Sequence, residues 1–127
     1  MPPARTREVR VVPIRHPGPP VRLVLEVRSV TYWKLSYAGR DLALHAFDED
    51  ADDDRFEHPL GFAHRLDDDR HDWSIEFVNV NDADEAFTAT LCWMQGDEER
   101  ARWEGTGTVA AGDVAQVSDW VLLNVTP

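Results

Sequence analysis

Residues 21–37, VRLVLEVRSVTYWKLSY, alternate with period two. Val21, Leu23, Leu25 and Val27 fall on one face and Arg22, Glu26 and Arg28 on the other; the same parity runs on through Trp33, Leu35 and Tyr37. Such alternation marks a strand with one covered face, here one long strand or two with a bend near Ser29. Ala38-Gly39-Arg40-Asp41 reads as a turn, and Leu42, Leu44 and Ala46 resume the alternation on the way back, which makes a hairpin.

The same grammar continues to the end of the chain. Leu60, Phe62, His64 and Leu66 alternate with Gly61, Ala63 and Arg65 and predict a strand, closed by the acidic turn 67–72. Trp73, Ile75 and Phe77 define the next, then Phe87, Ala89, Leu91 and Trp93, then 101–109, where Gly105-Thr106-Gly107 suggests a bulge or bend. The last strand ends in a nearly continuous apolar run with Trp120, Val121, Leu122, Leu123 and Val125, as though both faces were covered. Helical periodicity of useful length is missing. Seven to eight short strands with polar turns between them predict an all-β chain, a single antiparallel β-sandwich of Greek-key or jelly-roll type over 21–127.

Residues 1–20 hold six of the eight prolines and the arginines Arg5, Arg7, Arg10 and Arg15 against one glutamate. Proline density on this scale forbids a helix or central strand, so a flexible basic arm is expected, with at most a short edge strand from Val9, Val11, Val12 and Ile14. The whole chain carries a formal charge of −11, all of it and more on residues 21–127. Phosphate backbones and anionic lipid surfaces repel such a body, which argues against nucleic acid and membrane partners and favours cations or basic proteins. The opening residues lack the apolar core of a secretion signal, no apolar run is long enough to span a bilayer, and the one cysteine, Cys92, permits no internal disulfide, so a cytoplasmic address is expected.

The acids are also bunched. Six of the seven residues from Asp48 to Asp54 are acidic, and so many like charges are stable together only when solvated or when a cation lies among them. Asp48-x-Asp50-x-Asp52 opens like an EF-hand, but the sixth position is Asp53 instead of glycine and the twelfth is Pro59 instead of glutamate. The run Leu42 to Asp50 followed by Pro59-Leu60-Gly61 resembles the third-loop region of C2 domains, calcium-binding β-sandwiches in which alternating apolar residues lead into Asp-x-Asp and a Leu-Gly pair opens the next strand. That resemblance covers about twenty residues and implies Ca²⁺ ligands at Asp48 and Asp50. Strand alternation would bring the 81–85 and 110–113 loops to the same end, which adds Asp54, Glu57, Asp82 and Asp84 on geometry alone.

Catalytic signatures are absent: Cys92 sits mid-strand with no activating histidine nearby, and no nucleophile elbow or phosphate loop occurs. His58, His64 and His71 read as structural, and Trp73, Trp93 and Trp120 as core. Tyr32 and Trp33 put an aromatic on each face of their strand and could meet a sugar or a protein. The expected role is a non-enzymatic binding or interaction module, calcium-dependent through Asp48–Asp54. A protein partner or self-assembly would use Tyr32, Trp33, Arg5, Arg7 and Arg10. The alternatives are a structural subunit whose basic arm contacts a neighbour, and a carbohydrate-binding domain.

Overall fold

The computed structural model describes residues 5–6 and 11–126. Its strands are β1 (Arg5–Thr6), β2 (Val11–Ile14), β3 (Val21–Arg28), β4 (Tyr32–Gly39), β5 (Leu42–Phe47), β6 (Arg55–Gly61), β7 (Asp69–Val78), β8 (Glu85–Gln95), β9 (Glu98–Val109) and β10 (Val114–Val125). A single helical turn, α1 (Ala63–Leu66), and a 3-10 turn at Asp48–Asp50 complete the chain. The first sheet has the order β1-β9-β8-β3-β6 and the second β2-β10-β7-β4-β5. The expected sandwich is therefore present, with more strands than the sequence suggested, and every pairing is antiparallel except that of β2 with β10.

The alternation of 21–37 resolves into two strands, since Ser29, Val30 and Thr31 carry the chain from one sheet to the other. Both strands keep their apolar parity toward the middle, where Leu23 and Leu25 meet Leu35, Tyr37, Ile75, Trp93 and Trp103 in one cluster. Phe77 stacks on Phe87 at 3.9 Å, and Trp73 meets Trp103 edge-on at 4.8 Å. Gly105 does not mark a bend. The strand β9 runs straight through it, and the register shift lies instead between Trp93 and Met94. A Cβ at Gly105 would stand 2.5 Å from Cζ2 of the fully buried Trp103, so the glycine leaves room for the indole.

Two other readings are corrected by local geometry. Residues 63–66 form a helical turn instead of continuing a strand, because Ala63 and Leu66, three apart, are the pair that goes inside, while His64 is exposed beside His16 and Phe62. Trp120 lies on the outer face of the second sheet, paired with Asp72, and Arg70 sits 4.6 Å over its ring. Within the stretch expected to be an arm, β2 buries Val12 and Ile14 completely. The link that follows is clamped by buried Gln95, which accepts from Arg15 N and donates to the carbonyls of Arg15 and Pro19. The other arm residues, 1–4 and 7–10 with Arg7 and Arg10, lie outside the described residues.

A directed chain of hydrogen bonds crosses the core between the sheets. Trp93 Nε1 of β8 donates to Tyr37 Oη of β4 at 2.8 Å, leaving the phenol proton for His71 Nδ1 of β7 at 2.6 Å. His71 then donates from Nε2 to Asp69 Oδ2 at 3.0 Å, and Asp69 Oδ1 accepts from the Arg40 backbone N–H of the β4–β5 turn. Burial pushes the His71 pKa down, outweighing the pull of Asp69, and pushes that of Tyr37 up. Gly39 lies against this imidazole, and a Cβ there would come within 2.3 Å of His71 Cδ2.

Two outcomes follow from this packing. Because the folded pKa of His71 lies below the usual 6.5, its contribution to stability is complete above that pH and is lost as pH falls toward the folded value. Below pH 6.5 the unfolding free energy of the protein should drop more steeply than that of His71→Gln, by up to about 1.4 kcal/mol per pH unit, in urea titrations at graded pH. Gly105→Ala, which forces Trp103 to move, should cost about 1–3 kcal/mol in the same assay.

Candidate functional site

The outer faces of the two sheets differ in kind. On the first, long charged side chains pair with one another: Arg55 bridges Glu26 and Glu57, Arg22 reaches Glu57, and Arg102 lies between Glu99 and Glu104. The guanidinium of Arg55 holds the Glu57 carboxyl below the usual range, and Arg102 does the same for Glu99. Under this lattice lie Val24 and Cys92. Burial raises the Cys92 thiol to about 11, which disfavours the thiolate at neutral pH.

On the second sheet the residues in the middle of the outer face are small, between the Lys34–Glu76 and Arg70–Asp72 ion pairs. Ser118, Ser74, Ser36 and His45 stand in register across β10, β7, β4 and β5. The next row is Trp120, Asp72, Ala38 and Ala43. At a strand spacing of roughly 4.8 Å, each row runs about 14 Å. Small residues in the middle and larger ones at the rim leave an open groove of about 630 Å³. Its polar groups are mixed donors and acceptors: Ser36 Oγ lies 3.3 Å from His45 Nδ1, Gln116 Nε2 lies 3.5 Å from Ser118 Oγ, and Asp72 is held by Arg70. The groove went unread in the sequence because each strand contributes one or two ordinary-looking small residues. The available signal was Ser and Ala on the outward parity of three adjacent strands in a chain that is 29% charged.

The acidic loops do share one end, as strand alternation requires, but they do not converge. The sheet orders place the four connections side by side as 110–113, 79–84, 29–31 and 48–54. The uncharged 29–31 link thus separates Asp82 and Asp84 from Asp48, Asp50 and Asp54. The carboxylates also bond backbone N–H groups, within their own loop or across to the adjoining one. Asp50 Oδ2 accepts from Phe47 N at 2.8 Å, and Asp84 Oδ1 from Ala111 N at 3.0 Å. Asp53 and Asp54 have φ of 51° and 60°, and Asp52 and Arg55 exchange both backbone hydrogen bonds around them. That is a two-residue hairpin turn needing left-handed residues, which Asp tolerates better than most. Asp54 gives its carbonyl to Val27 N, and Glu57 is already paired with Arg22 and Arg55.

Strand β6 begins at Arg55, so Pro59-Leu60-Gly61 closes that strand and does not open one. Among the described residues no group of three or more His, Cys, Asp or Glu is placed to hold a metal ion. Of the aromatic pair, Tyr32 is exposed while Trp33 is buried. Arg5 belongs to β1, which pairs with β9.

The chain matches no family model, no curated protein and no solved structure.

With Asp82 and Asp84 held apart from the 48–54 acids by the 29–31 link, calcium should act on this protein only through ionic strength. Thermal melts in chelator, in millimolar CaCl₂ and in NaCl of equal ionic strength should place the two salt midpoints together. A rise specific to calcium, equivalent to about 2.7 kcal/mol at 100-fold excess over the dissociation constant, would show that the loops gather around an ion.

Proposed function

We propose that the chain is a non-enzymatic binding module whose ligand lies in the groove on the outer face of the second sheet, and that the ligand is a polyhydroxylated molecule, an oligosaccharide. The observation that carries this reading is the row Ser118, Ser74, Ser36 and His45, bordered by Trp120, Asp72 and Gln116 around an open volume of about 630 Å³. Hydroxyl, amide, imidazole and carboxylate groups on a rigid sheet offer both donors and acceptors at fixed spacing, which suits a ligand made of hydroxyl groups. A trough of this length admits an extended chain better than a compact anion, and the negative body disfavours anionic ligands.

A screen of neutral and acidic oligosaccharides against the immobilised protein, followed by calorimetry on those retained, tests the assignment. Neutral glycans should bind, and Ser74→Leu, which fills the middle of the trough, should weaken binding by at least about tenfold while leaving the melting midpoint within a few degrees. Retention of no glycan, or full binding by Ser74→Leu, would refute it.

A further inference from the structure

Of the seven large apolar residues that the described surface leaves exposed, five lie at one end of the sandwich: Val30, Tyr32, Phe47, Val80 and Val114. They belong to or adjoin the connections 29–31, 48–54, 79–84 and 110–113. Val114, Val78 and Tyr32 are paired in register across β10, β7 and β4, so they form a continuous row, with Phe47 beyond it on β5. This row is separate from the groove, four residues beyond its serines along β10, β7 and β4, with Gln116, Glu76 and Lys34 between. Between Tyr32, Phe47, Val78, the Glu76-paired Lys34 and the acids Asp48 and Glu49 lies a cavity of about 310 Å³, large enough for one bulky side chain.

The same four connections carry nine aspartates and glutamates and no lysine, arginine or histidine. Backbone N–H groups satisfy Asp50, Asp84 and Asp113 without neutralising them. The nearest cations are engaged or turned away. Lys34 is bridged to Glu76 at 3.2 Å, Arg55 to Glu26 and Glu57, and Arg28 stands on the outer face of the first sheet. The opposite end differs: its connections mix Arg15, Arg40 and Arg65 with Asp41, Asp67, Asp68 and Asp97.

A cluster of exposed apolar side chains is unusual on a soluble surface and marks a contact site, and uncompensated negative charge around it selects the sign of what binds. We infer that this end docks a cationic segment of a partner protein, one in which lysines or arginines flank a bulky apolar anchor. The anchor enters the cavity beside Tyr32 and Phe47, and the flanking cations meet Asp48, Glu49 and the carboxylates of the neighbouring loops. Exposed acids alone would give weak, salt-screened attraction without position; the apolar row supplies the register.

Short synthetic peptides test this on the full-length ¹⁵N-labelled protein. The probes are acetyl-KKWKK-amide, the same peptide with serine in place of tryptophan, and acetyl-EEWEE-amide. The first should give saturable amide shifts confined to 29–34, 47–50, 78–82 and 113–115. The serine peptide should bind at least about tenfold more weakly, and the acidic one not at all. Tyr32→Ser and Val80→Ser should each lower affinity for the first peptide with an unchanged melting midpoint, while Asp48→Asn with Glu49→Gln should flatten its salt dependence. Equal binding of the tryptophan and serine peptides, or shifts spread over the whole acidic surface, would overturn the inference. So would a concentration-dependent dimer in sedimentation whose interface shifts fall on these residues, since a second copy would then own the site.

Discussion

The hydrogen-bond chain from Trp93 through Tyr37 and His71 to Asp69 is the constraint on which the rest of the sandwich depends. Apolar packing alone would let two twisted sheets slide past one another, because dispersion and burial are nearly indifferent to small shifts. A polar chain buried between them is not indifferent. Each member has one partner in one direction, and an unpaired member would carry the full cost of a desolvated polar group. The chain ties β8 of one sheet to β4 and β7 of the other and, through the Arg40 backbone, fixes the β4–β5 turn. Those are the strands that carry the central serines of the groove and its His45 rim, so the site inherits its rigidity from the core beneath it.

The division of labour between the two outer faces follows from side-chain length. Arginine and glutamate on β3, β6 and β9 can lie flat, pair, and cover Val24 and Cys92. Serine and alanine on the second sheet cannot cover anything. Their backbone stays accessible, and a ligand that lies there finds a rigid floor instead of a layer of mobile charged chains. Polar groove and apolar row then occupy successive stretches of the same strands, which allows one domain to hold a glycan and a protein segment together.

Much of the fold was legible in the sequence because strand alternation is a local signal. The parity of Val21 to Tyr37 survives in the structure, as does the turn after Gly39. The readings that failed did so where a local signal had two explanations. Gly105 could mean a bent backbone or a neighbour in need of space, and only the position of Trp103 decides between them. Trp120 is as apolar as Trp73, and its outward parity shows only once it is paired with Asp72. Within the acidic run Asp53 and Asp54 form a tight turn, and whether aspartates on different loops meet is set by the order of strands across a sheet, which no local pattern encodes. The groove was illegible for the same reason, since it is a row across four strands distant in sequence.

The position of β10 between β2 and β7 reaches beyond the finished structure. The edge strand β2 is partnered by β10, which lies far along the chain, and the second sheet stays incomplete until that strand is in place. Loop closure over nearly the whole chain must therefore precede the final docking of Val12 and Ile14. Until β10 docks, the flank of β7 lacks its neighbour, so the second sheet closes late in folding.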